Sequence, residues 1–224
     1  MSLPIAVLVS GSGSNLQALI DKIEAGTLDA RISVVLSNKP DAYALERARR
    51  AGLAQMYLSP AGYADRPDFD RAMIRAIKDF GAQAVVLAGF MRILSGEFLR
   101  AFPDRVVNIH PALLPSFAGS HGQADAAAYG VAISGCTVHF VDEAMDHGPV
   151  IIQAAIAAYP DDDGQTLGGR ILKLEHRILP QAIQWLAEDR LRIEGRKVRL
   201  LASGRQPAAL PPGALVNPPL EQGF

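Results

Sequence analysis

A chain of 224 residues that is 49% hydrophobic and 20% charged has the size and composition of one large globular domain, with room for a small appendage. Its 22 basic and 23 acidic residues are interspersed and leave a net charge of −1, without the footprint of a nucleic-acid or anionic-membrane binder. The single cysteine excludes an internal disulfide framework and a Cys-rich zinc site, and no apolar run reaches the length of a bilayer span. The sequence enters an apolar segment at once, with no basic leader and no small-residue cleavage pattern, so a cytoplasmic protein is expected.

In chain order, PIAVLVS (Pro4–Ser10) is a continuous apolar run, as expected of a strand buried on both faces of a parallel sheet. A glycine-rich turn follows, and Leu16, Leu19, Ile20 and Ile23 then recur at helical spacing. RISVVLS (Arg31–Ser37) predicts a second strand, 41–51 a helix with Ala44, Leu45 and Ala48 on one face, and 55–58 a short extended piece. A helix over 67–80 starts acceptably on Pro67; QAVVLA (Gln83–Ala88) predicts a strand, 95–102 a short helix and 105–109 another strand. This alternation argues for βαβ crossovers and an α/β fold: an open, mainly parallel twisted sheet flanked by helices. Beyond His110 the rhythm changes. Strands over 134–141 and 150–158, joined by DEAMDHGP, predict an antiparallel extension of the sheet, with Cys136 as a buried, inert thiol. A long helix over 167–188, a hairpin over 190–201 and a loosely packed Pro/Gly-rich tail complete the chain.

VLVSGSGSNLQAL places strand, glycine-rich turn and helix start in the order a phosphate site needs. Gly11 and Gly13 allow close backbone approach, while Ser12, Ser14 and Asn15 can donate or cap. No Lys-Ser/Thr pair follows, so a Walker A loop is excluded; Leu16 stands where a dinucleotide fingerprint needs its third glycine. A phosphate monoester is favoured over a pyrophosphate, although a plain turn and helix cap use the same residues.

In NIHPALLPSF (Asn108–Phe117), Asn108 and His110 share one strand face at the strand's C-terminal end, where open α/β sheets bind ligands. An amide donor beside an imidazole can hold a developing oxyanion; a capped strand end with a satisfied histidine is the plainer alternative. The turn with Asp142, Glu143 and Asp146 can bring a carboxylate to His110, favouring its charged form and fixing its orientation, or remain a solvated turn. The histidines lack helical metal-ligand spacing, so no metal is expected.

Together, SGSGSNLQALI, VLAGFMRILS, NIHPALLPSF and TVHFVDEAMDHGPVI resemble the phosphoribosylglycinamide formyltransferase branch of the formyltransferase family. The resemblance covers about 5–200. It implies a formyltransferase domain over 1–201, with a phosphate-binding half (1–105) and a catalytic and folate half (106–201), followed by the tail at 202–224. It also implies transfer of a formyl group from 10-formyltetrahydrofolate, a co-substrate, to the amine of 5-phosphoribosylglycinamide in purine biosynthesis. Asn108, His110 and Asp146 would be catalytic. Gly13, Ser14, Asn15 and Glu175 would bind the ribotide. Arg66, Met91, Arg92, Ile93 and Leu94, with Asn108, Asp142, Glu143, Ala144, Met145 and Asp146, would bind the folate. Leu114-Pro115 matches the family's cis peptide. Only small-molecule partners are implied, with no nucleic acid or membrane, in a monomer or homodimer. Ser120, where the family carries Leu, and Gln123, where a second His is common, depart from the pattern in the loop after Pro115.

Sibling chemistries are the competing readings. A methionyl-tRNA formylase is expected to carry a C-terminal barrel, and a formyltetrahydrofolate hydrolase an N-terminal regulatory domain. A non-catalytic phosphoribosyl-binding module has no use for Asn108, His110 and Asp146 together.

Overall fold

A computed structural model describes residues 2–224. It is a mixed sheet of mostly parallel strands flanked by helices, with antiparallel strands toward the C-terminus. The chain divides into two compact units, the first running to Asn108 and including Phe140–Glu143, the second comprising Ile109–His139 and Ala144–Phe224.

Strands β1 (Leu3–Val9), β2 (Ala30–Ser37), β3 (Gln55–Tyr57) and β4 (Ala84–Leu87) of the first unit and β5 (Val106–His110), whose last two residues belong to the second, run parallel in the order β3-β2-β1-β4-β5. The unbroken apolar run of β1 has its cause here: Ile5 to Val9 are all fully buried, so neither face can carry polar groups. Ala6 and Leu8 point into a core built with Phe69, Met73 and Ile77 of α3 (Arg66–Asp79) and Phe98 of α4 (Gly96–Ala101). Each buried Leu, Ile or Phe contributes roughly 1.5–3 kcal/mol. Two further helices, α1 (Ser14–Glu24) and α2 (Tyr43–Arg50), pack against β2. Helix α3 begins one residue before its predicted start because the Asp65 side chain accepts the Asp68 N–H and caps it.

In the second unit, β6 (Ile133–Phe140) and β7 (Val150–Ala157) pair antiparallel, as the sequence predicts. The hairpin β8 (Leu191–Glu194) and β9 (Lys197–Leu200) joins β7 through β9. Helix α6 (Gly164–Ala187) starts three residues earlier than predicted, where Asp163 and Thr166 form a reciprocal capping box. Helix α5 (Gly122–Tyr129) went unforeseen, because its GQADAAAY has too little apolar contrast to show a helical period. Helix α5 packs on α6, where a Cβ at Gly164 would lie 2.9 Å from the Cβ of Ala124. Cys136 is fully buried, and burial, followed by the nearby Glu175 charge, pushes its thiol well above the ordinary value.

The tail corrects the expectation of loose packing. Strand β10 (Leu215–Asn217) pairs antiparallel with β7, and Val216, Leu220 and Phe224 are buried. Its few apolar anchors are supplemented by polar ones. Gln181 of α6 accepts the Glu221 N–H at 2.8 Å, Arg177 donates to the carbonyl oxygens of Ala209 and Phe224, and Arg190 forms a buried ion pair with Glu221 at 2.7 Å. Composition alone records none of these partners.

Burial alone would raise the Glu221 carboxyl, but its hydrogen bonds from Arg190 and Ser203 hold it below the ordinary carboxylate value. A carboxyl that ionises more readily when folded contributes stability above its unfolded value and loses it as the pH falls through the folded one. Glu221→Gln is therefore expected to lower unfolding free energy at neutral pH by about 1.5–3 kcal/mol and to flatten its decline in acid. Urea denaturation across that range measures both; parental stability and slope would contradict the tail staple.

Candidate active site

At the C-terminal end of β5, alternation puts Asn108 and His110 on one face and Ile109 on the other. Asn108 is partly exposed, whereas His110 is buried. The His110 ring lies between two acceptors. Its Nε2 is 2.9 Å from the Phe117 carbonyl, and its Nδ1 is 3.4 Å from Oδ2 of Asp146. A carbonyl only accepts, so Nε2 carries a hydrogen in this arrangement. The neutral ring has one N–H and serves one acceptor; the imidazolium serves both.

Asp146 sits in the β6–β7 connection with φ 51°, a left-handed conformation that aspartate tolerates better than most residues. Its Oδ2 also accepts the Gly119 N–H at 2.8 Å, and its Oδ1 lies 3.8 Å from Nε2 of His139, itself buried. The carboxylate thus meets two imidazoles and a main-chain donor within the second unit. Gly122 lets the start of α5 close against His110, since a Cβ there would lie 3.2 Å from Nε2 of the ring.

The turn after His110 is clamped by a cross-strand pair of β6 and β7, Thr137 opposite Gln153. Thr137 Oγ1 donates to the Ala112 carbonyl at 2.7 Å and accepts the Leu114 N–H at 3.1 Å, while Gln153 Nε2 donates to the Leu114 carbonyl at 2.9 Å. The Leu114-Pro115 peptide is cis. Gly119 contributes through its main chain, so Ser120, the departure beside it, does not touch the Asp146 contact. Ser120 instead hydrogen-bonds its neighbour, with Oγ 3.0 Å from Nδ1 of His121.

In the first unit, the glycine loop joins β1 to α1. Gly13 has φ 71°, and a Cβ there would lie 2.5 Å from that of Ala44, so glycine is required twice over. No side-chain hydrogen bond caps α1 at Gly13. Ser10 ties the base of this loop to the 91–94 segment: its hydroxyl accepts the Met91 N–H at 2.9 Å and donates to Asn38 Oδ1 at 2.6 Å. Met91 and Ile93 are exposed, Leu94 is buried, and the Arg92 guanidinium stacks 4.9 Å from the Phe69 ring centre. The segment ends on Ser95, whose N–H donates to Asp70 Oδ2 at 2.6 Å. Arg66 is exposed at the first turn of α3; Asp142 is half-buried, and the exposed Glu143 faces Arg100 at 3.7 Å. In the second unit Ala144 and Met145 are exposed, and Glu175 is buried on α6, where its charge acts on the Cys136 thiol.

Comparison with known proteins gives this geometry a family. The formyl transferase family model matches residues 3–183. The chain belongs to the formyl transferase family. It is 42% identical over 189 residues to the phosphoribosylglycinamide formyltransferase of Escherichia coli (strain K12), covering 84% of this chain and 89% of that protein. The crystal structure of glycinamide ribonucleotide transformylase 1 from Symbiobacterium toebii superposes with a TM-score of 0.88 at 49% identity, covering 90% and 95% of the two chains. A trifunctional purine biosynthetic protein, adenosine-3 of Drosophila melanogaster, is 46% identical over 184 residues; these are 81% of this chain, which spans only 14% of that protein's length. Four residues not singled out in the sequence hold the candidate groups or lie against them: Thr137, His139 and Gln153 in the second unit and Asp70 in the first. Thr137 and His139 lie within the TVHFVDEAMDHGPVI motif, and Asp70 is a charge inside the apolar stripe of α3.

Replacing Thr137 by Val keeps the shape but removes the hydroxyl that serves both Ala112 and Leu114. The expected loss is roughly 1–3 kcal/mol in unfolding free energy, with Thr137→Ser close to parental, as read by urea denaturation. A parental midpoint for the Val variant would show that the clamp does not hold the turn.

Proposed function

We propose that this chain transfers the formyl group of 10-formyltetrahydrofolate to the amine of 5-phosphoribosylglycinamide, a step of purine biosynthesis. The observation that carries the reading is the approach of Asp146 to the buried His110 at the end of the strand that also bears Asn108. The relatives named for this reaction support it.

In the proposed reaction the ribotide amine attacks the formyl carbon, and the carbonyl oxygen becomes an oxyanion. The Asn108 amide and the His110 imidazolium donate to that oxygen. Because the Phe117 carbonyl already engages Nε2 of His110, donation from this nitrogen exchanges that carbonyl for the substrate oxygen. Asp146 balances the imidazolium charge and assists the proton in passing from the attacking amine to the departing folate nitrogen. Collapse breaks the bond from the formyl carbon to that nitrogen and leaves the formamide product. Cys136 is sealed in the core with its thiol pushed up, which argues against a covalent thioester.

Gly13, Ser14 and Asn15 are proposed to hold the ribotide phosphate by main-chain donation at the start of α1. Glu175 is assigned to the ribotide by resemblance. Arg66, Arg92, Asp142, Glu143, Ala144 and Leu94 are assigned to the folate, with the exposed Met91, Ile93 and Met145 offering apolar contact to its flat ring.

The test mixes the protein with glycinamide ribonucleotide and a 10-formylfolate analogue and follows the deformylated folate by absorbance. Product is expected only when the ribotide is present; release without it would indicate a hydrolase. Asn108→Ala, His110→Ala and Asp146→Ala should each fold and each lose about 10²–10⁴ in turnover. Near-parental turnover in His110→Ala would refute the assignment.

A further inference from the structure

Helix α2 stands directly behind the glycine loop. The Ala44 N–H donates to the Gly11 carbonyl at 3.1 Å, and Ala44 fills the space that a side chain on Gly13 would need. On the same face of the helix, Arg47 donates from Nε to the Ser12 carbonyl at 2.9 Å and from a terminal nitrogen to Gln17 Oε1 at 3.1 Å. Its guanidinium also lies 5.0 Å from the centre of the Tyr43 ring, so three neighbours fix one cation against the back of the loop.

Peptide planarity makes the Ser12 contact directional. The Ser12 carbonyl and the Gly13 N–H belong to one trans peptide plane and point opposite ways. Gly13 sits at φ 71°, and glycine passes between such conformations and their alternatives at little cost, so nothing intrinsic to the loop holds this plane. Drawing the Ser12 oxygen onto Arg47 turns the Gly13 N–H away from α2. There is also a charge to account for. A phosphate monoester carries about −1.5 to −2 near neutral pH, while the loop from Gly11 to Asn15 contains neither Lys nor Arg.

We propose that Arg47 is a positioning residue of the phosphate loop: it pins the Ser12 carbonyl, aims the Gly13 N–H and supplies the positive charge that the loop lacks. This inference rests on the phosphate-binding reading of Gly13, Ser14 and Asn15.

Two substitutions separate the two roles. In Arg47→Gln the amide nitrogen occupies the position of the arginine Nε along the side chain, so the hydrogen bond to Ser12 survives and the charge is lost. Arg47→Met has similar length and loses both. Titration calorimetry of the full chain with ribose 5-phosphate reads the result, with thermal melting to establish that each variant is folded. Arg47→Gln is expected to bind about fivefold more weakly, and with a smaller salt dependence, than the parent. Arg47→Met should lose about a further fivefold. In the formyl-transfer assay both variants should raise KM for the ribotide while leaving kcat within about twofold, the signature of binding lost equally from ground and transition states. A role confined to folding would not produce that split. If the parent binds ribose 5-phosphate and Arg47→Gln binds it as tightly, the inference is overturned while the phosphate loop stands; Arg47→Gln also decides the matter if Arg47→Met does not fold. If the parent shows no binding, the phosphate-loop reading itself falls and takes the inference with it.

Discussion

The arrangement depends on one carboxylate. Asp146 accepts from the main chain at Gly119, faces His110 with the same oxygen and lies near His139 with the other. A half-buried carboxylate with poor partners is costly, and this one accepts a main-chain N–H and has imidazoles from two other stretches of chain beside it. The same contacts place the imidazole of His110 between a carboxylate and a carbonyl oxygen. In the proposed reaction, such placement ahead of the chemical step is what would let the group stabilise developing charge.

Around that carboxylate, polar side chains and glycines of the second unit hold the loops in place. Thr137 and Gln153, neighbours across β6 and β7, are spent on the carbonyl and amide groups of the turn that follows His110. Gly122 removes a side chain where α5 closes on the ring, and Gly164 does the same where α5 meets α6. The first unit follows a similar logic at its glycine loop, backed by Ala44 and tied by Ser10 to the main chain of Met91. In both units, side chains behind a loop pack against it or hydrogen-bond to its main chain.

How much of this could be read in advance follows from the range of the interactions. The strands β1, β2, β4 and β5 were legible because burial on both faces writes a continuous apolar run into the sequence. Asn108 and His110 were legible as a pair because strand alternation is local. Asp146 could be named only as a candidate: its approach to His110 depends on how the β6–β7 connection folds back, which no local period records. Thr137 and Gln153 were invisible for the same reason, since their partnership arises from register. Helix α5 was missed because alanines give weak amphipathic contrast. The tail was misjudged because its attachment uses Arg190, Arg177 and Gln181, whose polar side chains suggest solvent until their partners are seen.

The central claim is that His110 and Asp146 act as one unit in formyl transfer. The most direct measurement is a double-mutant cycle on single-turnover formyl transfer, comparing His110→Ala, Asp146→Asn and the double variant with the parent. If the two groups act together, the double variant is about as slow as the slower single variant, because removing the second partner takes away nothing more. If the two losses multiply, His110 and Asp146 contribute independently, and their joint action is contradicted.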